Sequence, residues 1–322
     1  MQTRQRGKDV TIIGPAIIDV LAAPVSPQVF QTGTQPVERM KLSFGGDALN
    51  EAVVLSRLGK SAELISKVGQ DEAGARVLAY LEENGLTAEK VKVEPGLVTG
   101  MNVVLVAEDG QRHFLTDPKG SLRALALEDV EPHLEDAADL VSFASLFISH
   151  RLGLPELERL FRQVKARPGR VLVLDMTKAK RGERLEDLAG LLPWVDYVLP
   201  NEEEAALLTG EKDPLRSARR FVEAGAGCAV IKCGAQGCLI HSDRLSCRIP
   251  AYPVERCVDS TGAGDCFAAG FLWGLSEGLS LPDCGRFACA AASCSVEHIG
   301  AVEGVTSLEQ VRARYRRLRE LG

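Results

Sequence analysis

The chain has 322 residues, 45% of them apolar and 25% charged, proportions of an ordinary globular protein that exclude disordered, collagenous and fibrous classes. Lys and Arg total 38 against 44 Asp and Glu, a net charge of −6 without a basic run, which argues against nucleic acid or an anionic membrane as a partner. At roughly 150 residues per domain, the length accommodates two domains or one large α/β domain with an appendage.

Short β-branched runs alternate with stretches of helical periodicity along the sequence. In chain order, a predicted strand at Val10–Ile13 is followed by an extended, Pro- and Gln-rich stretch at Pro24–Leu42 and a helix at Ala48–Leu58. A strand at Leu64–Val68 and a helix at Ala73–Glu83 come next. Met101–Ala107 and Arg112–Thr116 then read as extended runs joined by Glu108-Asp109-Gly110, a hairpin signal because glycine accepts the positive φ of the turn. Strand Leu140–Phe147, helix Pro155–Lys165 and strands Val171–Asp175 and Tyr197–Leu199 continue the pattern. Helices Glu202–Leu208 and Pro214–Glu223, strand Ala229–Lys232 and the apolar helical stretch Cys266–Leu275 complete it. The alternation predicts βαβ units and a mostly parallel sheet covered on both faces, with ligands beyond the carboxyl ends of the strands. The two irregular pieces, about 15–44 and 98–118, are expected to form a small β appendage on that side of a single 1–322 domain.

All nine cysteines lie between Cys228 and Cys294, with neither CxxC nor zinc spacing, so reduced thiols in a cytosol are expected. Met1–Asp9 is polar and does not read as a signal peptide, and no apolar run approaches the roughly eighteen residues of a membrane span. A cytoplasmic location is expected.

The strongest motif is Asp259-Ser-Thr-Gly-Ala-Gly-Asp265, leading straight into an apolar helix. Glycines at a helix start expose backbone N–H groups to an anion, and Asp265 would sit beside a bound phosphoryl group. The same residues could instead be a plain turn with an acid at the helix start. Ser43-Phe44-Gly45-Gly46-Asp47-Ala48-Leu49-Asn50 also enters a helix, and Asp47 and Asn50 there could bind hydroxyls or merely serve as a cap and an incidental helical residue. Gly59-Lys60-Ser61 is a helix end and not a Walker A loop, because Val54 stands where the earlier glycine is required. Asn201-Glu-Glu-Glu204 at a strand end suits Mg²⁺, yet Asn-x-x-Glu is equally a capping arrangement. Lys232-Cys-Gly234-Ala-Gln-Gly237 could admit phosphates or form an ordinary turn, and Asp19 could meet hydroxyls or solvent.

Together these residues resemble the PfkB, ribokinase-like carbohydrate kinases. Gly45-Gly46 with Asn50 and Leu58-Gly59 matches that family's N-terminal signature, and Asp259–Asp265 its more specific C-terminal one, with the order of elements fitting from about Asp9 to Val305. The wording Gly-Gly-Asp-Ala-Leu-Asn-Glu-Ala further resembles the YdjH-type sugar kinases. The resemblance implies a ribokinase-like fold whose β appendage is a lid, and ATP-dependent phosphorylation of a hydroxymethyl group. It implies Asp265 as the base, with Gly262, Ala263 and Gly264 as the anion hole. Asp19, Gly45, Gly46, Asp47, Asn50 and Asn102 would face the sugar. Asn201 and Glu204 would organise Mg²⁺. Lys232, Gly234 and Gly237 would meet the nucleotide, with Cys289, Ala292 and His298 near the adenine. Asp259, Thr261, Ser295 and Gly300 would surround a monovalent cation such as K⁺.

One departure bears on substrate. Where many such kinases carry Asp-Pro-Asn-x-Arg, this chain has Asp175-Met-Thr-Lys-Ala, so Lys178 would take the Arg's place as a point charge and not a fork. Asp265, at a helix N-terminus, is expected to stay ionised at neutral pH and to act as a weak base. A nucleoside kinase of the same family shares these residues, and a sugar sensor without catalysis would need neither Asp265 nor Asn201 and Glu204. A homodimer through the lid is expected, with Val103, Leu105 and Ala107 on one face and the interface formed by Val104 and Val106 on the other.

Overall fold

The computed structural model describes residues 8–108 and 111–321, so the expected Asp109-Gly110 turn lies outside the described residues. The strands are β1 (Val10–Ile13), β2 (Ile17–Ala23), β3 (Arg39–Gly45), β4 (Ala62–Gly69), β5 (Val91–Glu94), β6 (Met101–Val106) and β7 (Arg112–Thr116). They continue as β8 (Leu140–Leu146), β9 (Val171–Met176), β10 (Tyr197–Val198), β11 (Ala229–Lys232), β12 (Cys238–Ser242) and β13 (Leu245–Ile249). One sheet has nine strands in the order β13-β12-β11-β10-β9-β8-β1-β4-β5, and a second has four in the order β3-β2-β6-β7. From β11 to β5 the large sheet is parallel, and β12 and β13 close one edge as an antiparallel pair.

Strand β1 is buried along its whole length and runs between β4 and β8, which is why it reads as an unbroken β-branched run. Its side chains alternate between two cores. Val10 and Ile12 pack under the helices Asp47–Arg57, Ala263–Ser276 and Leu281–Ser295, while Ile13 faces the layer of helices Leu154–Lys165 and Pro214–Glu223. The carboxyl ends of β1, β8, β9, β10 and β11 therefore open on one rim of the molecule. At the end of β8, Ser145 and Phe147 carry φ of 66° and 76°, a region that L residues enter rarely and at a cost.

The four-stranded sheet comes from the two irregular stretches expected to pair. Pro24–Leu42 is not extended throughout, since a short helical turn at Val29–Thr32 separates β2 from β3. The faces of this sheet are the reverse of those expected. Asn102 faces a cavity against the large sheet, and Val104, two residues on, is buried on the same side. The open face carries Val103 and Leu105 of β6, paired in register with Val20 and Ala22, which in turn pair with Leu42 and Met40. Met40, Leu42 and Leu115 are exposed on it.

Candidate active site

The Gly-rich motif forms the turn into helix Ala263–Ser276. Gly262, the residue before the helix, has φ of +67°, and a Cβ there would fall 2.3 Å from the Ala301 carbonyl oxygen, so only glycine fits. The Ala263 N–H is engaged by the Ser260 carbonyl at 3.3 Å, which leaves the following N–H groups, of Gly264 and Asp265, at the mouth of the helix. A Cβ on Gly264 would meet nothing nearer than Lys232 Nζ, at 3.6 Å. A helix N-terminus and an ammonium thus face the same gap, a pairing suited to an oxyanion.

Asp265 lies between two cavities and lines both. Its Oδ2 accepts a hydrogen bond of 2.6 Å from Asn50 Nδ2, so Asn50 is no incidental helical residue. Asp47 opens helix Asp47–Arg57 without capping it, and its carboxylate accepts from the Ser145 hydroxyl on the strained end of β8. Burial, and then the charge of Asp47, push Asp265 up to about 8, against the pull of Asn50. The expected ionised Asp265 is corrected here, because its position between walls removes the solvent that a helix N-terminus alone would leave it. Behind it Glu51 accepts from Ser142 at 2.7 Å and is held well above the usual carboxylate range by burial and by Asp175, with Asp265 and Asp47 adding to this.

The larger cavity, about 500 Å³, extends from Asp265 over Asn201, Glu204, Lys232, Gly234 and Gly237 to Cys289 and Ala292. Lys232 Nζ donates to both carboxylate oxygens of Asp175, at 2.7 and 2.8 Å. Burial works against its charge, but Asp175 and Glu204 outweigh it and hold the ammonium above its ordinary range. Gly234 and Gly237 form the turn between β11 and β12, and a Cβ on Gly237 would lie 2.0 Å from the Ile249 carbonyl oxygen. Asn201 Oδ1 accepts from Glu204 N at 2.9 Å and Glu204 Oε2 from Asn201 N at 2.8 Å, so the capping arrangement is formed. Burial pushes Glu204 up to about 7. Both side chains still border the cavity, and two oxygen donors suit a divalent ion that keeps its waters and is shared with phosphates. Among the described residues no cluster of three His, Cys, Asp or Glu could hold a metal by itself. His298 departs from its expected place: its ring nitrogen lies 3.3 Å from the Cys294 carbonyl oxygen and it lines neither cavity.

The smaller cavity, about 370 Å³, joins Asp265, Asn50 and Gly46 to Asp19 and Asn102 of the four-stranded sheet. Asn102 Nδ2 donates to Asp19 Oδ1 at 3.0 Å, and Gly45 lies beneath Asp19, where a Cβ would come within 2.2 Å of Oδ2. Lys178 does not reach this cavity; it forms an ion pair of 2.6 Å with Glu203 outside. Lys180, in the irregular chain after β9, lines the cavity in its stead from an exposed position, as does Arg123, and neither was read from the sequence. Asp259, Thr261 and Gly300 meet as expected, with Thr261 N and Oγ1 on Asp259 Oδ1 at 2.8 and 2.6 Å and Gly300 N on Oδ2 at 3.0 Å. The Ser295 hydroxyl is turned to the Ala292 carbonyl, at 2.9 Å.

A family model described as pfkB family carbohydrate kinase matches residues 8–308. The chain belongs to the pfkB family. A sugar kinase of Archaeoglobus fulgidus, itself uncharacterised, is 34% identical over 257 residues, 78% of this chain and 97% of that one. A ribokinase of Lactococcus lactis is 27% identical over 85% of this chain and 86% of its own length. Among solved structures, a PfkB protein of Polaromonas sp. JS666 superposes with a TM-score of 0.79 at 25% identity, covering 95% of this chain and all of that one. A ribokinase-type protein of Escherichia coli in complex with ATP and Mg²⁺ gives 0.81 at 25% identity over 97% of this chain and 99% of that chain. This pfkB protein is a carbohydrate kinase, a phosphotransferase with the ribokinase-like α/β fold. No helix among the described residues is long and apolar enough to cross a membrane.

Proposed function

We propose that this pfkB protein transfers the γ-phosphate of ATP to a hydroxyl of a small carbohydrate, with Asp265 as the base. The observation that carries the reading is the position of Asp265 between the two cavities, opposite Lys232 and beside the Gly262–Gly264 turn. ATP occupies the larger cavity, its end phosphoryl group directed at the Gly264 N–H and Lys232 Nζ. The sugar occupies the smaller one, with Asp19, Asn50 and Asn102 on its hydroxyls and Asp47 behind Asp265. Phosphoryl transfer passes through a loose transition state, so positioning and charge stabilisation supply most of the acceleration. Burial and Asp47 raise the proton affinity of Asp265, so it takes the hydroxyl proton more readily than an ordinary aspartate would.

Asn201 and Glu204, which border the larger cavity, would hold Mg²⁺, and the ion when bound would neutralise charge on the phosphate oxygens. The Asp259 loop, tied to Thr261 and Gly300, would support a monovalent cation such as K⁺. The four-stranded sheet acts as the lid, and its open apolar face, with Met40, Leu42 and Leu115, packs on a second copy. The nine free cysteines suit a reducing, cytoplasmic setting. The Gly45–Ala52 wording favours the YdjH-type subgroup. A coupled assay of ADP release tests the assignment: sugar-dependent release that Asp265→Asn removes supports it, and release indifferent to that change overturns it.

A further inference from the structure

The smaller cavity is bipolar. Among its lining residues Asp265, Asp47 and Asp19 are engaged by Asn50, Ser145 and Asn102, an arrangement suited to hydroxyl groups. The same cavity is also lined by Arg123 and Lys180. Arg123 closes the short turn Ser121–Arg123, and its carbonyl accepts from His150 N at 3.1 Å, which ties it to the loop after β8. Its Nε is buried with no hydrogen-bond partner, and among the described residues neither Arg123 nor Lys180 forms an ion pair. Leaving a guanidinium N–H buried and unmet costs free energy, so such a group in a ligand cavity points to a partner brought by the ligand. The same region gathers more positive charge. Burial, and the charges of Arg181, Arg123 and Lys180, keep His150 below its ordinary range.

We propose that the acceptor substrate carries an anionic end group, a carboxylate or phosphate, which Arg123 and Lys180 hold while its far hydroxyl meets Asp265. A guanidinium fork matches a planar carboxylate or a phosphate in a way that sugar hydroxyls do not. The cavity, about 370 Å³, lies within the range of small-molecule sites. The inference rests on the sugar-kinase reading above and adds the charge of the substrate to it.

Initial rates of the wild type, Arg123→Met and Lys180→Gln are compared on an aldonate, a hexose 6-phosphate and their neutral parent sugars. One anionic sugar is expected to have a kcat/KM at least about 10-fold above its neutral parent. Arg123→Met raises the KM for that sugar about 10- to 100-fold, as loss of a hydrogen bond to a charged group does, and leaves the KM for ATP unchanged. Lys180→Gln acts in the same direction but less, because Lys180 is exposed. The Tm of Arg123→Met stays at or above that of the wild type, since its Nε loses no partner. The aldonate and phosphate arms identify which anion is used. Better use of the neutral parents, or equal slowing of neutral and anionic sugars by Arg123→Met, overturns the inference and leaves the kinase reading standing. ATP binding without phosphorylation of any sugar in either class overturns both.

Discussion

Gly264→Ala separates the anion site from the fold more cleanly than any change at Asp265. Gly264 is in the first turn of helix Ala263–Ser276 and outside the left-handed region, so its backbone suits alanine. Replacing a helical glycine by alanine stabilises by about 0.4–1 kcal/mol where the new Cβ meets no obstacle. Here the nearest atom is Lys232 Nζ at 3.6 Å, ordinary van der Waals contact. For a chain of this size that gain corresponds to a rise in Tm on the order of 1–3 °C. The added methyl, however, enters the gap between the helix mouth and Lys232 that the proposed function assigns to a phosphoryl oxygen. Denying an oxyanion one backbone donor typically costs about 10²- to 10³-fold in turnover, and a comparable loss in kcat is expected. Calorimetric Tm and ADP release with ATP varied would be measured on one preparation. A variant both more stable and nearly inactive supports the argument. A kcat and KM for ATP within about twofold of the wild type would refute it, because the phosphoryl group would then have to lie elsewhere.

Asp265→Asn is expected to reduce turnover by about 10²- to 10⁴-fold while nucleotide affinity by calorimetry changes little. Asp47→Asn keeps an acceptor for Ser145 but removes the charge that helps hold Asp265 near 8. The acid limb of kcat/KM therefore moves to lower pH. The stability sign follows from the same shift: a carboxyl bound more tightly to its proton in the fold costs stability as pH rises from the ordinary aspartate range through about 8. Asp47→Asn should accordingly gain more Tm at pH 9 than at pH 5, and a uniform gain would speak against the coupling. Glu204→Gln should raise the Mg²⁺ concentration for half-maximal rate, and a fall in Tm with no change in Mg²⁺ dependence would leave Glu204 only its cap. For the lid, Leu42→Glu with Leu115→Glu should yield monomers by sedimentation; dimers that persist would remove this face from the interface.

The parts of the fold legible in the sequence are those whose environment is uniform along a strand. Val10–Ile13 and Ala229–Lys232 lie between neighbours on both sides and read as short β-branched-rich runs with correct ends. Strands β12 and β13, at the margin of the sheet, went unread because His241, Ser242 and Arg248 interrupt their apolar pattern. Helix Leu281–Ser295 went unread because its many small Ala and Cys residues are buried on most sides and show little period. In the site, legibility follows sequence distance. Asn50 and Asp265 are each set by a local glycine turn, so their motifs are visible although they meet across the fold. The Asp175–Lys232 pair joins the ends of two strands, and nothing near either residue announces it. Lys178 and Lys180 differ by two positions in an irregular segment, where no periodicity says which one lines the cavity.

The charge of the site also explains why its carboxyl groups are held as they are. Asp47, Asp175, Glu204 and Asp265 all border the larger cavity, and Lys232 is the ammonium among them. A triphosphate entering beside four ionised carboxylates would meet repulsion that one lysine, already bound to Asp175 through two hydrogen bonds, could not offset. Burial resolves the conflict by raising Asp265 to about 8 and Glu204 to about 7, so that neither carries its full charge at neutral pH. Asp175 spends its charge on orienting Lys232 toward the helix mouth, and Asp47 spends part of its own on Ser145. The polarity of the cavity thus shifts toward the anion site, where Lys232 and the helix N-terminus coincide. On the proposed mechanism, the groups assigned to accept a proton and to support a metal ion are the ones whose charge burial suppresses, so the arrangement that weakens repulsion of a nucleotide also raises the proton affinity of the proposed base.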